Sequence, residues 1–115
     1  MLDDAGMGKL TTHVLDTVAG GPAEGVRVRL YRDGELLEET LTNVDGRCDG
    51  PLLEGRDLVT ERYELVFSVR EYFEGKGVAC PFLDEVGVKF RMEAGGSYHV
   101  PLVCSPWAYS TYRGS

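Results

Sequence analysis

At 115 residues, 43% apolar and 27% charged, the chain has the makings of one soluble domain with one core, not of a disordered or multidomain protein. Nineteen acidic against twelve basic residues give a net charge of −7, which opposes nonspecific contact with nucleic acid or an anionic membrane surface. No run approaches the ~20 apolar residues of a membrane span, and the acidic start Met1-Leu2-Asp3-Asp4 is unlike a signal peptide, so a cytoplasmic protein is expected.

Leu10 to Thr17 alternates and is rich in Thr and Val, which predicts a strand; Ala19 to Gly25 predicts a turn. Val26 to Tyr31 follows as a strand with Val26, Val28 and Leu30 on one face. Asp33-Gly34 marks a hairpin whose second arm is Glu35 to Thr42. The turn Asn43-Val44-Asp45-Gly46 then delivers Arg47. Gly50 to Glu61 is irregular, a loop or short edge strand. Tyr63 to Val69 is a strand burying Tyr63, Leu65, Phe67 and Val69, and Arg70 to Gly77 is the one segment suited to a short helix held by tertiary packing. Val86 to Met92 and Tyr98 to Cys104 are expected to pair across Glu93-Ala94-Gly95-Gly96-Ser97, with a last strand from Ala108 to Tyr112. Pro101 fits a sheet edge or a face that meets a partner. Seven to eight short strands, one helical turn and no helix–strand alternation predict an all-β antiparallel sandwich. Residues 1–9 form a short lead-in and 10–115 the domain.

The only two histidines, His13 and His99, lie in strand-like runs. Alternation puts His13 on a face with Thr11 and Leu15, and His99 with Pro101 and Val103. If those faces meet, two imidazoles flank one pocket, with an ordinary pKa near ~6.5 suited to taking a proton from water. If they do not, they are surface or backbone-bonded histidines. Arg47, set by a tight turn, can hold a planar carbonyl or urea-like edge through two parallel hydrogen bonds, or can simply be a solvated charge. The aromatic, hydroxyl-bearing end Tyr109-Ser110-Thr111-Tyr112-Arg113-Gly114-Ser115 is expected to be tied down. Cys48, Cys80 and Cys104 are odd in number and widely spaced, so reduced thiols are expected. Cys48 beside Arg47 invites a depressed pKa, although no base stands near it in sequence. No nucleophile elbow, glycine-rich phosphate loop or closely spaced metal-ligand pair is present.

Three stretches together, Leu10-Thr11-Thr12-His13-Val14-Leu15-Asp16-Thr17, Thr42-Asn43-Val44-Asp45-Gly46-Arg47 and Tyr98-His99-Val100-Pro101-Leu102-Val103-Cys104-Ser105-Pro106, resemble the transthyretin-related family. The closing Tyr112-Arg113-Gly114-Ser115 resembles the mark of its 5-hydroxyisourate hydrolase branch. The resemblance covers Leu10 to Ser115. It implies a transthyretin-like sandwich, a homotetramer formed as a dimer of dimers, and active sites at the dimer–dimer interface. It also implies hydrolysis of the cyclic amide of 5-hydroxyisourate without metal or organic cofactor. His13, Arg47 and His99 match the family's catalytic positions, and His13, Arg47, Tyr112, Arg113, Gly114 and Ser115 its substrate-binding ones. Departures are Cys104, where another apolar residue is expected, and an acidic lead-in ahead of Met7, near which the family usually begins. The competing readings are a small-molecule carrier on the same sandwich and a purely structural interaction domain.

Overall fold

Residues that alternate in sequence alternate in burial. Val28, Leu30, Leu65 and Phe67 are fully buried, while Arg27, Arg29, Glu64 and Val66 face outward. The computed structural model describes residues 7–114. Its strands are β1 (Lys9–Thr11), β2 (Val14–Asp16), β3 (Gly21–Pro22), β4 (Arg27–Arg32), β5 (Glu35–Leu41), β6 (Leu53–Glu54), β7 (Glu61–Ser68), β8 (Glu85–Met92), β9 (Ser97–His99), β10 (Leu102–Cys104) and β11 (Tyr109–Thr111). One α-helix, α1 (Val69–Gly75), and a 3-10 turn at Gly55–Asp57 complete the regular structure among the described residues. No helix among them is long and apolar enough to cross a membrane.

One layer is wholly antiparallel, in the order β5-β4-β7-β8. The other is mixed, in two short pieces ordered β6-β1-β9 and β11-β10-β2-β3, with β1 parallel to β9 and β2 parallel to β10. The pieces run into one another. Val100 N–H donates to Thr11 O at 2.9 Å and Leu102 N–H to His13 O at 2.9 Å, so the parallel ladder passes unbroken through the gap. Leu10, Val14 and Leu102 from this layer meet Val28, Leu30, Leu65 and Phe67 from the other in one core. The two-layer β-sandwich with one short helix is the architecture expected, but one layer is mixed where antiparallel pairing was expected throughout, because β1 and β2 run parallel to β9 and β10. The strand count is higher because long strands are interrupted and two-residue bridges are counted.

Three local expectations are corrected. The strand from Leu10 to Thr17 is interrupted at Thr12 and His13, where His13 bridges to Arg47 and Val14 N–H donates to Gly46 O at 2.8 Å. The segments Val86 to Met92 and Tyr98 to Cys104 do not pair with each other: the intervening turn crosses between layers, and β9 joins β1. Close backbone approach steers this crossing, since a Cβ on Gly8 would lie 2.5 Å from Gly96 O. The Tyr98 hydroxyl also accepts from Glu93 N–H at 2.9 Å across the turn. Pro101, finally, is not at an edge. It lies between β9 and β10, buried, inside the layer. The pairings Leu102↔Thr111 and His99↔Gly114 put Tyr112 opposite it, and a proline has no N–H to donate there. The terminal segment is pinned on either side of that gap, by Thr111 Oγ1 to Pro101 O at 2.8 Å and Gly114 N–H to His99 O at 2.7 Å.

Helix α1 buries Val69, Tyr72 and Phe73. Tyr72 donates to Asp16 Oδ2 at 2.8 Å, while Asp16 Oδ1 accepts from Val18 and Ala19 N–H at 2.8 and 3.0 Å. A buried carboxylate is thereby fully bonded and ties the helix to the end of β2.

Candidate active site

Alternation along β1 and β2 turns Leu10, Thr12, Val14 and Asp16 into the core and leaves Thr11, His13 and Leu15 on the outer face. The parallel register sets Thr11 beside His99, so their side chains emerge together. Thr11 Oγ1 lies 2.9 Å from His99 Nδ1. His13 follows two positions along on the same face.

Arg47 reaches this face because its turn is fixed at both ends. Asn43 Oδ1 accepts from Asp45 and Arg47 N–H at 2.9 and 3.2 Å, and Asn43 N–H donates to Arg47 O at 2.7 Å. Gly46 sits at φ +73°, and a Cβ there would lie 2.5 Å from Val14 O, so the turn is pressed against β2. The antiparallel bridge His13↔Arg47 then brings guanidinium and imidazole to neighbouring positions. Arg47, Thr11 and Lys9 line a hollow of about 340 Å³. Hollows of comparable or larger size on the other layer, around Asp33 and Arg62, do not include Arg47; neither histidine lines any of the three.

From the opposite side comes the chain terminus. A Cβ on Gly114 would lie 2.6 Å from His99 Cδ2 and 3.2 Å from Cγ, so the ring rests directly on backbone. The imidazole is therefore held by its Nδ1 edge against Thr11 and its Cδ2 edge against Gly114. Nε2 is left without a hydrogen-bond partner among the described residues. Burial, then the Arg47 charge, then His13 hold the His99 pKa below its ordinary 6.5, so the ring is neutral at pH 7.

His13, Arg47, His99 and Gly114 thus come together. Tyr112 is 60% exposed beside them, on the outer-face register position opposite Pro101. The side chain of Arg113 is engaged elsewhere: its guanidinium stacks 4.4 Å over the Tyr98 ring and donates to Ser97 O at 3.1 Å. Ser115 lies outside the described residues. Cys48 is no thiolate, because burial, then Asp49 and Glu38, push its pKa up to about 11. All three cysteines are free. Among the described residues no group of three or more His, Cys, Asp or Glu could hold a metal ion. Thr11 is the site residue that sequence reasoning passed over. Its signal was present, since it shares the alternating face of His13, but its partner lies 88 positions away.

A family model described as HIUase/Transthyretin family matches residues 10–114. A Pseudomonas aeruginosa protein named 5-hydroxyisourate hydrolase is 50% identical over 117 residues, covering 95% of this chain and 93% of its own. Among solved structures, the Klebsiella pneumoniae 5-hydroxyisourate hydrolase is 36% identical with a TM-score of 0.83, covering 93% of this chain and 99% of that one. An (S)-allantoin synthase superposes with a TM-score of 0.91 at 43% identity, covering 99% of this chain but only 46% of that one, so the present chain spans about half of its length.

Proposed function

The chain belongs to the HIUase/transthyretin family, and from that premise we propose that it hydrolyses the cyclic amide of 5-hydroxyisourate, using water activated by His99. The observation that carries the reading is the clamped His99 ring, with Nε2 free of partners among the described residues and with burial, Arg47 and His13 lowering its pKa. A base must be unprotonated before it can work, and this one is kept so by burial and a neighbouring cation.

In the proposed reaction His99, assisted by His13, takes a proton from water as its oxygen bonds to the ring carbonyl carbon. Arg47 donates to the carbonyl oxygen, where negative charge builds. The C–N bond then breaks, the ring nitrogen leaves with a proton returned from the imidazolium, and the acyl carbon ends as a carboxylate. The product is 2-oxo-4-hydroxy-4-carboxy-5-ureidoimidazoline. Tyr112 and the Arg113-Gly114-Ser115 backbone would wall the cleft and orient the ring. A homotetramer, with two dimers meeting over this outer face, would close the cleft from above. The half-exposed outer-face residues Leu15 and Val103 and the exposed Tyr112 suit such a contact. Free thiols suit a cytoplasmic setting.

The test follows 5-hydroxyisourate, generated in situ from urate and its oxidase, by ultraviolet absorbance. Wild-type protein should speed its decay, and His99→Asn or Arg47→Ala should lose roughly 10²- to 10⁴-fold in rate while remaining folded. Unchanged decay with folded wild type would leave a carrier on the same sandwich as the better reading.

A further inference from the structure

We propose that Thr11 is a positioning residue, holding His99 in the tautomer with its proton on Nδ1 and so presenting the Nε2 lone pair to the cleft. The inference rests on His99 being the base.

Two facts of geometry lead there. The Nδ1 edge of the ring is met by a hydroxyl oxygen at 2.9 Å, and the Cδ2 edge is met by the backbone of Gly114, where not even a methyl group fits. Among the described residues only the Nε2–Cε1 tip remains open, so a water to be activated meets Nε2. A neutral imidazole has one nitrogen that donates and one that accepts. Nε2 can accept a proton only if Nδ1 already carries one. Thr11 Oγ1 has the lone pairs to accept from Nδ1–H, and being half-exposed it can give its own proton to solvent.

The same bond survives the proton's arrival. When Nε2 is protonated, Nδ1–H still points at Oγ1, and neither side chain has to turn. In the opposite tautomer the hydroxyl would be donating to Nδ1, and the ring could not take a proton at its open end at all. A hydroxyl also differs from the carboxylate that orients histidine in many hydrolases. It fixes the tautomer without adding negative charge, so it does not pull the ring toward the protonated form. The side groups facing the ring among the described residues are Thr11 and His13 from the β1–β2 run and Arg47 from its turn, with Gly114 contributing backbone. Of these only Arg47 and His13 carry or can carry charge, and both act to keep the ring neutral.

Thr11→Val keeps the β-branched shape that suits a strand and removes only the hydroxyl. Its kcat should fall roughly tenfold, the scale of one lost hydrogen bond, with KM little changed. Nitrogen-15 NMR of His99 should read the Nδ1–H tautomer in wild type and a mixture in Thr11→Val. Thr11→Ser should restore both rate and tautomer. An Nε2–H tautomer in the wild type would overturn the proposal even if no variant folded. So would an unchanged rate and tautomer in Thr11→Val. If His99→Asn is fully active, the base assignment itself has failed. If His99→Asn is dead while Thr11→Val is unaffected, only the role of Thr11 has.

Discussion

Gly114→Ala is the sharpest probe of the ring clamp, because it changes space and nothing else. Gly114 does not occupy the left-handed region, so alanine brings no backbone strain. The added Cβ would sit 2.6 Å from His99 Cδ2, 3.2 Å from Cγ and 3.3 Å from Cβ. Carbon atoms rest at about 3.5–4.0 Å, so the gap must open by roughly 1 Å. Rotating the ring about its own bond cannot achieve this, since Cγ and Cβ are crowded too. Either His99 shifts as a unit, spoiling the 2.9 Å contact with Thr11, or the terminal segment lifts and the 2.7 Å bond from Gly114 N–H to His99 O is lost. A misplacement of about 1 Å costs on the order of 10²-fold in rate. Stability should drop by only about 1 kcal/mol, the low end for overpacking, because the strand end is partly exposed. The assay is kcat/KM from the ultraviolet decay, with a thermal melt for stability. Gly75→Ala, at the end of α1, where a Cβ meets nothing within 4 Å, is the control. Full activity in a folded Gly114→Ala protein would refute the clamp.

Four further outcomes are expected. The neutral form of His99 is the active one and its pKa lies below 6.5, held there by burial, Arg47 and His13, so kcat/KM should stay level at neutral pH and fall on the acid side of 6.5. Arg47→Gln should move the NMR titration of His99 upward, and a downward move would contradict the assigned cause. The same depressed pKa means that the unfolded chain binds this proton first, so the contribution to folding is present above about 6.5 and declines as pH falls toward the folded-state value. Tyr72→Phe should cost about 2 kcal/mol in urea unfolding, because the buried Asp16 carboxylate loses its 2.8 Å donor, yet leave kcat untouched. A loss of turnover without loss of stability would show that the helix contact reaches the site.

The sequence carried the local periods well and the long-range pairings poorly. Val28 and Leu30, or Tyr63, Leu65 and Phe67, announce their buried face because a strand alternates with a period of two whatever it pairs with. The face shared by His13 and Thr11 was legible for the same reason. What no local pattern encodes is the neighbour. Glu93-Ala94-Gly95-Gly96-Ser97 reads as a hairpin turn, yet it carries the chain across to the other layer, steered by its contact with Gly8. Arg113 looked like a residue of the cleft until the register with β9 and the ring of Tyr98 drew its guanidinium away. Motif likeness supplied the company of His13, Arg47 and His99, and it said nothing of the Thr11 hydroxyl between them.

The parallel seam between the first and ninth strands also has a kinetic consequence. Thr11 and His99 are 88 residues apart in the chain, whereas the pairings of the antiparallel layer β5-β4-β7-β8 are all of shorter range, from the tight β4–β5 hairpin to β7–β8 joined through α1. Contacts of large sequence separation are slow to close. A folding chain can therefore possess that antiparallel layer while its two histidines are still far apart. Turnover, followed during refolding, should lag behind the strand signal, and its appearance would time the moment at which the two ends of the polypeptide meet.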